Sequence, residues 1–192
     1  RAGNDVVVAI PIQVTGPHIT VTEAISDYAT GKIENLHLDY PRIIGAQVIL
    51  EVEKHRHTAE IILHCNNHIT IEASDQTEDM YASIDGAIAR IARQMRKYKT
   101  KILRNHRPRG FDVKHIEEQV LSVEGLDEHA ESEPQVIQTE RYPVKPMFVD
   151  EAVLQMEMSS RQFVVFLNPK TERVSILYRR RDGGLGLMEP TY

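Results

Sequence analysis

The chain has 192 residues, of which 41% are apolar and 27% charged, which suits one or two soluble globular domains. Its only cysteine, Cys65, excludes a disulfide framework within one chain and fits a reducing compartment. The longest apolar runs, Val6–Ile10 and Phe163–Leu167, fall far short of the roughly 18 residues of a membrane span, and no stretch reads as a secretory signal. The net charge of −5 is unevenly held. Residues 1–110 carry 14 Lys/Arg against 13 Asp/Glu, residues 111–135 one Lys against eight acids, and residues 136–192 eight Lys/Arg against seven acids.

In chain order, Ile10, Ile12 and Val14 alternate as in a half-buried strand that ends at Gly16-Pro17. Thr20 or Thr22 is placed to cap a helix with Val21, Ile25, Tyr28, Ile33 and Leu36 on its apolar side, closed by Pro41. Strands are predicted at Ile43–Val52, Ala59–Cys65 and Ile69–Ala73, with polar turns around His55-Arg56 and Asn66-Asn67. Asp75 or Thr77 then begins a helix that runs to about Arg104, with Tyr81, Ile84, Ile88, Ile91, Met95, Tyr98 and Ile102 at alternating steps of three and four. The order β-α-β-β-β-α predicts an α+β sandwich, with two helices on one face of a four-stranded sheet.

Acids with scattered apolar residues dominate the next stretch, which reads as a flexible, self-repelling linker over residues 106–135. The expected organisation is thus a domain at 10–105, this linker, and a small α/β domain at 136–192. The last part reads as a strand (Val136–Tyr142), a helix (about Val149–Met158) and two strands (Phe163–Leu167 and Arg173–Arg179). Asn168-Pro169-Lys170-Thr171 joins those two strands, and Gly183-Gly184-Leu185-Gly186 makes a final bend.

The second helix carries the functional signal. No acid occurs from Gly86 to Phe111, and the same stretch holds Arg90, Arg93, Arg96, Lys97, Lys99, Lys101, Arg104, Arg107 and Arg109. At about 100° per residue, Arg90, Arg93, Lys97, Lys101 and Arg104 form one stripe nearly opposite the expected apolar positions. Solvated helix faces usually mix signs, because like charges four residues apart repel by a few tenths of a kcal/mol. Basic residues near a helix C-terminus offset the macrodipole, which accounts for the last turn alone. An external polyanion accounts for the whole row. No aromatic residue interleaves the stripe, so phosphate and shape recognition of structured RNA is favoured over base stacking.

Several runs resemble the ribosome hibernation-promoting factors: Gly16–Tyr28, Val52–His57, Asp79–Asp85 and Arg93–Lys99. Val144–Met147 and Tyr178–Gly183 resemble the extra domain of the long form, so the likeness covers nearly the whole chain from about Ile10. The resemblance implies an N-terminal domain in the decoding channel of the small ribosomal subunit, touching ribosomal RNA and blocking messenger and transfer RNA. It also implies a C-terminal domain that pairs with its own copy to join two ribosomes into an inactive dimer. The implied RNA contacts fall on Arg90, Arg93, Arg96, Lys97, Lys101 and Arg104, joined by Arg56 and His57 beside a strand turn. Two positions depart from the family pattern. Phe148 stands where a small polar helix cap is common, and Leu185 where an aromatic residue is usual.

Self-association has an argument of its own. Residues 136–192 are near the size at which a lone core becomes marginal. Phe163–Leu167 is apolar on both faces of its strand, and one helix covers only one face of a small sheet. The uncovered side, with Phe163, Val165, Ile176 and Tyr178, is the expected homodimer interface. Among the nine histidines, His55, His57, His64 and His68 lie near Cys65, but their spacing matches no zinc pattern. The expectation is a cytoplasmic protein that is not an enzyme and has no cofactor, metal or membrane partner. A dimeric regulator of other structured RNA is the alternative, and a metal-dependent enzyme a remote third class.

Overall fold

Alternation of apolar and polar residues builds the first sheet of the computed structural model, which describes residues 10–36, 42–66, 69–104, 110–122 and 134–191. Its strands are β1 (Ile12–Thr15), β2 (Ile43–Glu53), β3 (Arg56–Cys65) and β4 (Ile69–Thr77), in the spatial order β1-β2-β3-β4. β1 runs parallel to β2, and the other neighbours are antiparallel. Helix α1 (Glu23–Glu34) follows β1, and α2 (Met80–Arg104) follows β4. One face of the sheet buries Val48, Leu50, Ala59, Ile61, Leu63, Ile71 and Ala73 in a single cluster with Ala29 and Ile33 of α1 and with Ile84, Ala87, Ile91, Met95 and Tyr98 of α2. Each large side chain in that cluster contributes about 1.5–3 kcal/mol of burial. The α+β arrangement read from the sequence is the one observed.

Thr22 is the α1 cap, its Oγ1 accepting from the Ile25 amide at 3.3 Å. Asn35 closes that helix, and Pro41 lies outside the described residues. For α2 the cap is Asp79, not Asp75 or Thr77: its Oδ2 accepts from the Ala82 amide at 3.0 Å. Thr77 Oγ1 instead donates to the Asp79 carbonyl at 2.6 Å. The buried Ser83 Oγ donates to the His57 carbonyl at 2.6 Å, which fixes the start of α2 beside the β2–β3 turn. Tyr81, expected in the core, is 38% exposed and meets Tyr28 edge-on at 4.8 Å. Ser83 and Ala87 are buried instead, because small residues allow that side of α2 to approach the sheet.

The second sheet holds β5 (Lys114–Leu121), β6 (Val136–Pro146), β7 (Phe163–Asn168), β8 (Arg173–Arg179) and β9 (Leu185–Met188), in that order. Helix α3 (Val149–Glu157) lies between β6 and β7 in the chain. The first of these strands corrects the linker expectation. Lys114–Leu121 pairs antiparallel with β6, Ile116 standing opposite Tyr142 and Val120 opposite Gln138. The backbone ladder pairs the peptide groups of β5 that face β6 while its acids stay exposed, so acid density hid a strand. Residues 106–109 and 123–133 of the expected linker lie outside the described residues.

The chain forms two compact units, one of residues 1–106 with 153–162 and the other of residues 107–152 with 163–192. The expected boundary at 136 is therefore too simple. Leu154 and Met158 belong to the first unit's core, and the Glu72 amide donates to the Met158 carbonyl at 2.7 Å.

Candidate nucleic-acid interface

The buried side of α2 determines where its basic residues point. With Ile84, Ala87, Ile91, Met95 and Tyr98 turned to the sheet, Arg93, Arg96, Lys97 and Arg104 are exposed and Lys101 is half-buried. The stripe lies on the flank of the buried side, not opposite it, because Ser83 and Ala87 shift the contact line toward the basic residues. Arg93 to Arg104 extends along roughly 16 Å of helix at 1.5 Å per residue.

Neutralisation differs along the row. Among the described residues, Arg93, Arg96 and Arg104 have no carboxylate partner. Lys97 Nζ lies 3.0 Å from Glu157 Oε2, with both side chains more than half exposed. Such exposed pairs are worth about 0–1 kcal/mol, so a phosphate can compete for the ammonium. Arg90 is held more firmly: one guanidinium nitrogen donates to the Ser74 carbonyl and the other to Asp75 Oδ1, both at 2.8 Å. Lys101 and Arg104 also stand in the last turn, where the macrodipole favours positive charge. Arg107 and Arg109 lie outside the described residues.

Arg56 and His57 are not gathered with this row. Arg56 opens β3 at an exposed position, after a turn in which Lys54 takes a φ of +56°. His57 is half-buried, its Nδ1 enclosed and without a hydrogen-bond partner among the described residues. Since the His57 carbonyl is bound to Ser83 near the start of α2, Arg104 lies roughly 30 Å along the helix from that turn. On the α1 side, Asp85 lies 3.1 Å from Lys32 and accepts from the Tyr28 hydroxyl at 2.9 Å. Hydrogen bonds to Asp85, then to Tyr28, raise the Lys32 pKa above its ordinary value. Burial pushes the Cys65 thiol up to about 12, so it stays protonated. Among the described residues no three His, Cys, Asp or Glu side chains gather as a metal set.

In the second unit the four expected interface residues divide. In the β7–β8 register Phe163 faces Tyr178 and Val165 faces Ile176, which puts all four on one side of the sheet. Phe163 is 44% exposed and stacks on Tyr142 at 6.1 Å. Ile176 and Tyr178 are half-buried, and Val174 and Met188 extend the same side as exposed apolar residues. Val165 is buried, packed with Val144 and Leu167 beneath Phe111 and Tyr142. Sequence reasoning missed Phe111 and Tyr142 as covers, the first because it fell in the expected linker. Gly186 lies under Tyr178, where an added Cβ would come within 2.4 Å of the ring. The Phe148 carbonyl accepts from the Ala152 amide at 3.1 Å, which starts α3 without a side-chain cap at that position.

Comparison with known proteins bears on both units. Residues 12–103 match the family described as Sigma 54 modulation protein / S30EA ribosomal protein, and residues 131–187 match that family's C terminus. The ribosome hibernation promotion factor of Staphylococcus aureus (strain COL) is 33% identical over 186 residues, covering 94% of this chain and 97% of the relative. The chain belongs to the ribosome hibernation promotion factor family. Because both the N-terminal and C-terminal domains match, it is of the long form. Two solved structures are also similar over 47% of the chain and 99% of their own length. One is a ribosomal subunit interface protein from Coxiella burnetii (22% identity, TM-score 0.45), and the other the Thermus thermophilus Protein Y N-terminal domain (25% identity, TM-score 0.42). Among the described residues no helix is long and apolar enough to cross a membrane.

Proposed function

We propose that this chain is a cytoplasmic, ribosome-binding translation inhibitor. Its first unit occupies the decoding channel of the small subunit, with α2 against ribosomal RNA. Its second unit pairs with a second copy to hold ribosomes as inactive dimers. The observation that carries the RNA contact is the exposed set Arg93, Arg96 and Arg104, without a carboxylate partner among the described residues, on a helix whose other side is locked into a core. A guanidinium pairs with phosphate through two parallel N–H donors, and a packed helix presents it at little further ordering cost. The self-pairing is supported by the apolar strip Phe163, Val174, Ile176, Tyr178 and Met188 on one side of the second sheet. Membership of the family, with a relative named for ribosome hibernation, supports both parts. No chemical step is assigned to any residue, and the reading is of a binding protein.

Sedimentation of ribosomes with the full-length chain tests the reading. The expected result is co-migration with small subunits and a ribosome-dimer peak, the peak disappearing in the full-length Phe163→Asp variant. Equal binding to free hairpin RNA, with no preference for small subunits, would overturn the ribosomal assignment in favour of a regulator of other RNA.

A further inference from the structure

We propose that Arg90 positions the basic helix and does not itself touch RNA, and that Gly86 exists in α2 to make this possible. The proposal rests on the reading of α2 as an RNA-binding helix and specifies how its contacts are divided. By sequence, Arg90 is simply the first member of the stripe. In the structure its guanidinium grips two consecutive positions of β4, the Ser74 carbonyl and Asp75 Oδ1, each at 2.8 Å. A forked guanidinium can hold a carbonyl and a carboxylate in fixed directions at once, which the point charge of a lysine does not do. Both acceptors belong to the strand on which α2 packs, so the grip opposes rotation of the helix about its own axis.

Gly86 stands one helical turn before Arg90. A Cβ at that position would lie 1.7 Å from Asp75 Oδ2 and 2.6 Å from its Cγ. The Asp75 carboxylate therefore occupies the space of the missing side chain, leaning over the helix to meet Arg90. A glycine inside a helix costs up to about 1 kcal/mol relative to alanine, and here that cost admits the carboxylate. The Asp75 side chain is only 21% exposed, so the grip is partly shielded from solvent. The geometric consequence falls on the rest of the row. At a side-chain radius of about 6 Å, a 20° turn of the helix displaces each guanidinium by about 2 Å, enough to spoil the geometry of a direct hydrogen bond while leaving the positive charge beside the phosphate.

Binding of the full-length variants to small ribosomal subunits, measured over a range of salt concentrations, separates positioning from contact. Each lost phosphate contact lowers the slope of log K against log salt by about one. Arg93→Gln is the contact control and should lower the slope by that amount. Arg90→Gln and Gly86→Ala should each weaken binding about tenfold at fixed salt, the size of one charge-assisted hydrogen bond, with the slope unchanged. Gly86→Ala keeps every charge and raises helix propensity, and circular dichroism checks that both variants are folded. Asp75→Asn combined with Arg90→Gln should bind no worse than Arg90→Gln alone. If Arg93→Gln lowers the slope and Arg90→Gln lowers it equally, Arg90 is a phosphate contact and the positioning role is overturned, the RNA-binding reading of the helix surviving. A lower melting temperature for Gly86→Ala with unaltered binding would mean a purely structural grip and also overturns it. An Arg93→Gln variant with unchanged affinity and slope removes the RNA-binding reading itself, and the positioning role with it.

Discussion

Replacing Arg93, Arg96 and Arg104 together by glutamine removes the three exposed guanidiniums of α2 that no carboxylate neutralises among the described residues. None of the three belongs to the buried set Ile84, Ala87, Ile91, Met95 and Tyr98, and glutamine is a good helix former, so the fold should persist. Each phosphate contact contributes about 0.7–0.9 to the slope of log affinity against log salt. Three contacts therefore account for a slope change of about 2–3 and, at about 0.1 M salt, a loss of roughly two to three orders of magnitude in affinity. The measurement is binding of labelled full-length protein to purified small subunits from about 0.05 to 0.5 M salt, with circular dichroism as the fold control. An unchanged slope in a natively folded triple variant would refute the claim that these residues meet phosphates. A loss of affinity with the slope preserved would place the cause in helix geometry instead.

Phe163→Asp places a charge on the apolar strip it shares with Val174, Ile176, Tyr178 and Met188, beside Tyr178, where truncating an aromatic anchor typically costs about 2 kcal/mol or more of binding. Sedimentation equilibrium should show the full-length chain dissociating at least about 30-fold more readily, while its binding to small subunits stays the same; an unaltered dimer would move the interface elsewhere. Acid should release the end of the chain from the second sheet. Glu189 Oε1 accepts from Ser175 Oγ at 2.6 Å and Asn168 Nδ2 at 2.8 Å, bonds that hold its carboxyl below the ordinary glutamate range. A depressed folded-state value gives stability that is present above the unfolded value near about 4.3 and is lost as pH falls through the folded one. Hydrogen exchange over residues 185–191 should therefore accelerate below about pH 4, and Glu189→Gln should remove that step; a step retained in the variant would assign it to another group.

What was legible in the sequence follows from how local each signal is. The alternating three- and four-residue steps of α2 and the strand alternation of β2 to β4 are periodicities of single elements, and burial follows them at Ile84, Ile91, Met95 and Tyr98. Tyr81 fits the same spacing, yet its ring turns to Tyr28, because the azimuth of a helix is set by what it packs on. Ser83 and Ala87 look neutral in a hydropathy pattern, but their small size determines the closest approach to the sheet and moves the basic stripe to its flank. In the same way β5 is invisible to composition. Its acids face solvent, and only the cross-strand match with β6, some twenty residues away in the chain, makes Ile116 and Val120 part of a ladder.

The candidate site shows the same division between local and tertiary information. An acid-free run of arginines and lysines is apparent by counting, so the row on α2 needs no structure to be found. Which members are available to a partner depends on residues distant in sequence. Asp75 lies 15 positions before Arg90, and Glu157 lies 60 after Lys97. Gly86 was the one local hint: a glycine within a strong amphipathic helix marks either a weak point or a place where another chain segment must come close. The Asp75 carboxylate above it decides for close approach. A charge stripe is thus a statement about composition until the strand beneath it is known, and the physical distinction between Arg90 and Arg93 resides in β4, not in α2.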